Sequence, residues 1–106
     1  MNVGIDIIEI DDLKKRISKG SDFLSSILSD EEIEGANLES LAGKIAAKEA
    51  IIKTGFVNPS EWKRITIKYL KSGAPEIYDS LGDKIQKIKV SISHTKTLAI
   101  AVALYE

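Results

Sequence analysis

The chain contains no cysteine, a single histidine and almost no net charge, and each of these shortages excludes a class of function. Without cysteine there is no disulfide, thiolate metal site or cysteine nucleophile, and one histidine alone argues against a zinc site. A net charge of -1 at pH 7 creates no overall field that would attract nucleic acid or an anionic membrane. No apolar run is long enough to span a bilayer and no signal-peptide pattern opens the chain, so we expect a cytoplasmic protein.

What is present is the composition of one globular domain, residues 1–106. A chain of 106 residues can bury one modest core but not two, and its 43% hydrophobic and 29% charged residues argue against disorder. No internal repeat or linker divides it.

The first half is predicted to hold one strand followed by helices. The β-branched residues 3–10 indicate a strand, and Asp11 and Asp12 offer a cap for a short basic helix over residues 13–17. The last helix of this half, which is also the longest, should run over residues 37–54 and be stopped by Gly55. Before it, Ser21 and Asp22 can start a second helix, and Ser29 and Glu32 have capping-box spacing, so the chain is expected to restart a helix there.

The second half is typical of antiparallel sheet. Strands are predicted over Ile65–Tyr69 and residues 76–78, 89–94 and 99–104, with a polar turn or short helix at 80–84. The last strand has an alanine face, which lets a helix approach closely, and we expect the long helix to pack there. The predicted fold is α+β, with an antiparallel sheet wrapped around or packed on one long helix.

The long helix holds ionisable residues where apolar ones are expected. Glu49 and Lys53 lie one turn apart, between two apolar stripes. A carboxylate there needs a metal or a lysine as partner; the alternative is an ordinary surface pair, since Glu four residues before Lys is favoured on helices. Lys44 and Lys48 occupy other faces, where they could meet a ligand lying between subunits. Taken alone, Lys44 is typical of a solvated helix face. The stripes are Leu38, Leu41, Ile45 and Ile52, and Ala42, Ala46 and Ala50.

Asp6 is a second carboxylate in an apolar segment, on the strand face opposite Val3 and Ile5. It is either an exposed or edge-strand charge or a carboxylate held near Glu49 to share a cation. Mg²⁺ takes only one or two protein carboxylates and fills its other positions with water and substrate phosphates. Asp6 and Glu49 would therefore suffice.

Two further features each have a structural and a functional interpretation. His94 precedes Thr95 at a strand end, and is either a surface residue or part of a phosphate-binding turn. A basic patch is either a solvated helix face or a docking surface for an acidic partner. It lacks the interleaved aromatic residues of nucleic-acid binders. Its members are Lys14, Lys15, Arg16 and Lys19.

Three sequence blocks follow one another in the chain: GIDIIEI at residues 4–10, LAGKIAAKEAIIK at 41–53 and VSISHTKTLAIAVAL at 90–104. Together they resemble the holo-[acyl-carrier-protein] synthases, the small class of 4′-phosphopantetheinyl transferases. DFLSSILSDEEIE at 22–34 and SGAP at 72–75 resemble weaker segments of the same family, so the likeness covers nearly the whole chain.

The resemblance implies a homotrimer with active sites between subunits and a transfer reaction. The phosphopantetheine arm of coenzyme A would move to a serine of an apo acyl carrier protein for fatty acid synthesis, releasing adenosine 3′,5′-bisphosphate. By match to the family motifs, Asp6 and Glu49 would bind Mg²⁺. Lys53 would lie by the pyrophosphate, and His94 and Thr95 would hold the 3′-phosphate region.

The resemblance also assigns coenzyme binding to Lys44 and carrier docking to Lys15 and Arg16. Lys44 stands where the family has an arginine, so the charge is kept and a bidentate phosphate contact is lost. The segment TGFVNPSEW after Lys53 is shorter than the usual glycine-rich stretch.

Two other functions remain open on the sequence alone. One is a non-catalytic trimeric module that binds coenzyme A or a carrier protein. The joint presence of Asp6, Glu49 and Lys53 counts against it. The other is an unrelated Mg²⁺-dependent phosphodiester hydrolase, which the small number of suitably placed carboxylates disfavours.

Overall fold

Helices and strands surround one long helix in the computed structural model, which describes residues 1–20 and 22–106. The strands are β1 (Asn2–Glu9), β2 (Ile65–Tyr69), β3 (Pro75–Asp79), β4 (Ile88–His94) and β5 (Leu98–Tyr105). The helices are α1 (Ile10–Ser18), α2 (Asp22–Ile27), α3 (Asp30–Ile33) and α4 (Leu38–Lys53), and a 3₁₀ segment covers Pro59–Arg64. In the described ranges, no helix has the length and apolar character needed to cross a membrane.

The connection between β1 and α1 differs from the sequence prediction. β1 ends at Glu9, and Ile10 already begins α1, three residues before the predicted start. Asp11 and Asp12 lie inside the first turn and are not the cap, which is Glu9 without a side-chain capping bond. Both aspartates still favour the helix, because negative charge near an N-terminus interacts well with the helix dipole.

The other predicted helix starts are confirmed where the structure describes them. α2 begins at Asp22, while the alternative start at Ser21 lies outside the described residues. The Ser29 N–H donates to a Glu32 carboxylate oxygen at 2.9 Å, and the Glu32 N–H donates to Ser29 Oγ at 3.3 Å, which completes the capping box. Asn37 caps α4 by accepting a first-turn N–H at 2.8 Å.

The strands form two antiparallel sheets. One has the order β1–β5–β4, and in the other β2 pairs with β3. The predicted turn over residues 80–84 is a turn. Neither the division into two sheets nor the 3₁₀ segment was predicted, because alternation shows which face of a strand is apolar but not which strand lies beside it.

Small residues let the three-stranded sheet pack closely on α4, as predicted. Ala101 and Ala103 of β5 share a buried core with Ala46 and Ala50 of α4. A Cβ atom on Gly4 of β1 would lie only 1.9 Å from the Ala50 carbonyl oxygen, so no other residue fits there without a backbone shift. The predicted α+β fold, with an antiparallel sheet packed on one long helix, is confirmed.

The opposite side of this sheet is apolar and exposed. Ile5 lies across from Val102 and Ile7 across from Ile100, so the side chains form one continuous surface. Continuous exposed apolar patches usually mark an interaction site. Five apolar residues on this side are 36–59% exposed, and we call them together the outer sheet face: Val3, Ile5, Ile7, Ile100 and Val102.

Candidate active site

Asp6 lies in the middle of β1 on the side that faces α4. Its strand partner is Ala101, which is fully buried under the helix, and only 17% of the Asp6 side chain is exposed. Side chains alternate along a strand, so Asp6 points away from the outer sheet face. The interpretation of Asp6 as a charge on an exposed strand face is therefore wrong.

Lys53 ends α4 and binds Asp6 directly. Its Nζ lies 3.3 Å from Asp6 Oδ1 and donates to the Ile5 carbonyl oxygen at 2.9 Å. About half of the side chain remains exposed, which leaves the ammonium group accessible to a ligand. The sequence spacing suggested that Lys53 pairs with Glu49. The carboxylate within hydrogen-bonding distance of Lys53 is instead that of Asp6.

Glu49 is half-buried one turn before Lys53. Its pKa is raised, firstly because burial removes solvent and secondly because Asp6 is negatively charged, while Lys53 acts in the opposite direction. One ammonium group thus faces two carboxylates and compensates them incompletely. We call Asp6 and Glu49 the acidic pair.

A cavity of about 270 Å³ lies over the acidic pair. Ile8 and Ile45 supply apolar wall from β1 and α4, and further residues line it from α1 and α2. The rim also carries charge of both signs, from Glu9, Asp12 and Arg16. A polar group could therefore enter from the α1 side and reach the acidic pair.

The acidic pair suits a divalent cation in both charge and ligand type. Mg²⁺ binds carboxylate oxygens and needs only one or two from the protein. Burial is the main cause of the raised pKa of Glu49, and repulsion by Asp6 adds to it; a cation would offset that repulsion. Across residues 1–20 and 22–106 there is no group of three or more potential metal-binding side chains. Ligands beyond the pair would thus be water or substrate.

His94 ends β4 and Thr95 begins the turn to β5, and both lie outside the cavity of the acidic pair. His94 lines a second cavity, of about 300 Å³, together with Glu39 and Ser40 from the first turn of α4. His94 Nδ1 lies 3.5 Å from Glu39 Oε2. Thr95 Oγ1 accepts the N–H groups of residues 97 and 98 and so orders the hairpin turn. A single chain therefore does not bring these two residues into the cavity of the acidic pair.

Lys44 and Lys48 are both buried, so the prediction of a solvated helix face at Lys44 is wrong. Their exposed fractions are 8% and 0%. Lys44 Nζ donates to the Glu32 carbonyl oxygen at 2.7 Å and lies 5.7 Å from the centre of the Tyr69 ring. Burial lowers the pKa of both lysines, against the opposing influence of Glu32. Because the Lys44 ammonium already has a partner in its own chain, its contact with a coenzyme stays a prediction.

Glu32 was missed as a partner of these lysines. Besides closing the capping box, its carboxylate accepts from Lys48 Nζ at 2.7 Å and from the Ile67 N–H of β2 at 2.9 Å. The capping box alone explains a glutamate at this position, and the other partners lie 16 and 35 residues further along the chain. The sequence does offer one sign that such a partner exists: Lys48 is a cation on a largely apolar helix, where a buried charge needs an acidic partner.

The basic patch is exposed and lies on α1 and on its C-cap residue, Lys19. Within it, the Arg16 guanidinium lies over the Phe23 ring of α2, 4.2 Å from the ring centre. Arg16 and Phe23 both line the cavity of the acidic pair. The patch, which includes Lys15, is therefore continuous with that cavity.

The fold and the site together define a class of protein: a small α+β protein whose paired carboxylates and adjacent lysine suit a phosphate-bearing substrate. The comparisons with known proteins agree. A sequence model of the 4′-phosphopantetheinyl transferase superfamily matches residues 2–103. The chain belongs to this superfamily, in the branch of the holo-[acyl-carrier-protein] synthases.

Similar proteins cover nearly the whole chain. The holo-[acyl-carrier-protein] synthase of Thermoanaerobacter sp. (strain X514) is 39% identical over 117 residues, covering 96% of this chain and 84% of that protein. The synthase of Pelodictyon phaeoclathratiforme (strain DSM 5477 / BU-1) is 36% identical over 118 residues, covering 100% and 98%.

Solved structures agree with the fold. The Helicobacter pylori holo-[acyl-carrier-protein] synthase in complex with coenzyme A superposes with a TM-score of 0.84 at 32% identity, covering 98% of this chain and 99% of that one. The Bacillus anthracis enzyme in complex with CoA (3′,5′-ADP) gives a TM-score of 0.78 at 30% identity, covering 99% and 95%.

Proposed function

We propose that this chain is an enzyme that transfers the 4′-phosphopantetheine group of coenzyme A to a serine of an apo acyl carrier protein, releasing adenosine 3′,5′-bisphosphate. The observation that carries the proposal is the meeting of Asp6, Glu49 and Lys53 at one edge of α4, in a fold shared with a synthase solved with coenzyme A. Residues 1–106 would act as one transferase domain, in the cytoplasm and in fatty acid synthesis, as the resemblance implies.

The chemistry asks for charge neutralisation and alignment. The serine oxygen attacks the phosphorus that bears the pantetheine arm, the bond from this phosphorus to the bridging pyrophosphate oxygen breaks, and the hydroxyl proton is lost. Lys53 would place its exposed ammonium against the pyrophosphate. Asp6 and Glu49 would hold Mg²⁺, which when bound supplies further positive charge. Glu49 would also accept the serine proton, because a carboxylate within reach of the attacking hydroxyl can act as a general base.

We propose in addition that three copies assemble through the outer sheet face. The continuous apolar surface on β1 and β5 supports this, because water would be removed from it. The positions of His94 and Thr95 support it as well, since neither lines the cavity of the acidic pair in its own chain. In a trimer, His94 and Thr95 of one subunit would hold the 3′-phosphate region of a coenzyme bound at the acidic pair of the next.

Lys15 and Arg16 would receive the carrier protein. Both are exposed on α1, and Arg16 adjoins the cavity of the acidic pair. A positive helix beside the site would attract an acidic carrier and hold its serine near Glu49.

The transfer is tested by incubating the protein with coenzyme A, Mg²⁺ and apo acyl carrier protein and measuring the mass of the carrier. We expect a gain of one phosphopantetheine group, strongly reduced by Lys53→Ala. Lys63→Ala removes an exposed lysine elsewhere and serves as the matched control. If no carrier gained mass with any divalent metal, the enzyme proposal would fail and a non-catalytic binding module would be left.

The assembly is tested by measuring molecular mass in solution. Val102→Asp places a charge on the outer sheet face and is expected to give monomers. Leu81→Asp, at a turn residue that is 85% exposed, replaces an equally apolar side chain away from that face and should leave the trimer intact. A wild-type monomer, or a Val102→Asp trimer, would contradict this assembly.

A further inference from the structure

Lys48 uses all three of its ammonium protons inside the protein. Its Nζ donates to the Ile27 carbonyl oxygen at 3.0 Å, to Glu32 Oε1 at 2.7 Å and to the Trp62 carbonyl oxygen at 2.9 Å. The side chain is fully buried. A single residue of α4 thus holds three separate segments, namely the end of α2, α3 and the 3₁₀ segment.

Glu32 is equally saturated. One carboxylate oxygen accepts from Lys48 and from the Ser29 N–H, and the other accepts from the Ile67 N–H of β2. We call Lys48 and Glu32 the buried clamp. No buried side-chain polar atom in the described part of the chain lacks a hydrogen-bond partner, so the clamp is a complete network.

The clamp connects two functional surfaces. Lys48 directly precedes Glu49, and its bond to Ile27 holds the last residue of α2. The first turn of α2 carries Phe23, which supports the Arg16 guanidinium and lines the cavity of the acidic pair. Arg16 itself belongs to α1, and α2 acts on it through the Phe23 ring. The placement of the Arg16 guanidinium relative to Glu49 therefore depends in part on how α2 is held against α4.

Stability by itself does not require a buried ion pair such as Lys48 and Glu32. A buried ion pair can often be replaced by apolar residues of similar volume without loss of stability, whereas apolar packing constrains direction less than three hydrogen bonds do. The contribution expected from this clamp is a fixed orientation of α2.

We propose that Lys48 and Glu32 are positioning residues that hold α2, and with it the stacked Phe23 and Arg16, at the distance from Glu49 that carrier docking requires. This rests on the proposed function, in which Arg16 contacts the carrier. Neither Lys48 nor Glu32 lines the cavity of the acidic pair, so the effect of the clamp on docking passes through α2.

The test compares binding of two substrates, because a general loss of folding would affect both. Glu32→Gln with Lys48→Met removes both charges and keeps side-chain volume similar. We expect this double variant to raise the Kd and the KM for apo acyl carrier protein by about 5- to 20-fold. The Kd for coenzyme A should change by less than about twofold, within the range of independent sites.

The matched control is Lys68→Met, which removes a lysine of β2 that pairs with Glu31 of α3 but does not hold α2. It should leave the Kd for the carrier unchanged. Arg16→Ala should weaken carrier binding in the wild type and have a smaller effect in the double variant, because Arg16 is then already misplaced. If the double variant does not fold, Glu32→Gln alone replaces it in the same comparison.

Equal weakening of both substrates, or a fully additive Arg16→Ala effect, would overturn the positioning role. The outcome also separates this inference from the proposed function. A wild type that binds the carrier without transferring phosphopantetheine contradicts the enzyme, while the Kd comparison still decides the clamp. If Arg16→Ala alone leaves the Kd for the carrier unchanged, both the docking surface and the role of the clamp are overturned.

Discussion

Two clusters of charged side chains lie along α4, and they differ in how completely their charges are compensated. On one flank, the buried clamp pairs Lys48 with Glu32, and all polar atoms are satisfied. On the other, the acidic pair faces one half-exposed lysine, and the pKa of Glu49 is raised. The first arrangement resembles a finished structural network, and the second resembles a site that lacks a positive partner.

Burial of a charge therefore does not by itself identify a functional residue. Lys48 is more buried than Glu49, yet its partners are all supplied by its own chain. Glu49 is less buried, but its environment leaves a negative charge that a ligand could compensate. Incomplete compensation in a cavity is the better indicator, because catalytic groups need perturbed charge that substrates can reach.

Lys48→Met should have the largest effect on stability. It leaves Glu32 buried without its cation, and breaking one side of a buried pair costs about 3–5 kcal/mol in the free energy of unfolding. Urea unfolding followed by Trp62 fluorescence measures the change. Lys53→Met, at the half-exposed lysine of the same helix, should cost no more than about 1 kcal/mol. Similar losses in both variants would erase the contrast between the flanks.

Glu49→Gln should have the largest effect on activity. It keeps the shape of the side chain but removes the charge that would hold Mg²⁺ or accept the serine proton. We expect kcat for transfer to fall by about 10²- to 10³-fold, the range found when one electrostatic group is removed from an active site. Glu31→Gln, at an exposed glutamate of α3, is the control and should keep full activity. Full activity of Glu49→Gln would refute the site.

The sequence predicts the elements well where local rules decide them. The alternation in Ile65–Tyr69 gives β2 with its exact bounds, the capping box at Ser29 gives the start of α3, and α4 lies within one residue of its predicted ends. These features depend on neighbours within a few residues. The short side chains on β5 and α4 likewise predict their packing, because only small residues allow that approach.

The site was predictable only in part, for a physical reason. Asp6 and Glu49 are conspicuous as carboxylates in apolar segments, and the structure brings them to one cavity. Helical periodicity places Lys44 and Lys48 on other faces but does not reveal what lies against those faces. Their partner Glu32 comes from α3, whose docking on α4 is a tertiary event. The division between the flanks is therefore a property of the fold.

Lys44→Met should have a smaller effect than Lys48→Met. Lys44 makes one hydrogen bond, to the Glu32 carbonyl oxygen, and its loss leaves a buried acceptor unsatisfied. This is expected to cost about 1–3 kcal/mol in the free energy of unfolding. Lys44→Arg, with the family residue, separates the structural role from coenzyme binding. A lower KM for coenzyme A in that variant would show that the position contacts the ligand.

The smallest expected effect is the pH dependence of stability that Glu49 contributes. Its pKa in the folded protein is raised above the ordinary value of 4.5 by burial and by Asp6, so the folded state binds this proton more tightly than the unfolded state. Stability contributed at Glu49 is therefore greatest below pH 4.5, declines as pH rises through the raised pKa, and stays lower above it.

Glu49→Gln cannot ionise, so without divalent cations it should match the wild type in acid and exceed it in stability at neutral pH. Unfolding curves in urea at a series of pH values measure this difference, with Glu31→Gln as the control that should show no such trend. Because Mg²⁺ would compensate the carboxylate, adding it should stabilise the wild type at neutral pH and leave Glu49→Gln almost unchanged. A stability difference that is constant across pH would mean that the charge on Glu49 is already compensated within the chain, as it is for Lys48, and the contrast between the two flanks would disappear.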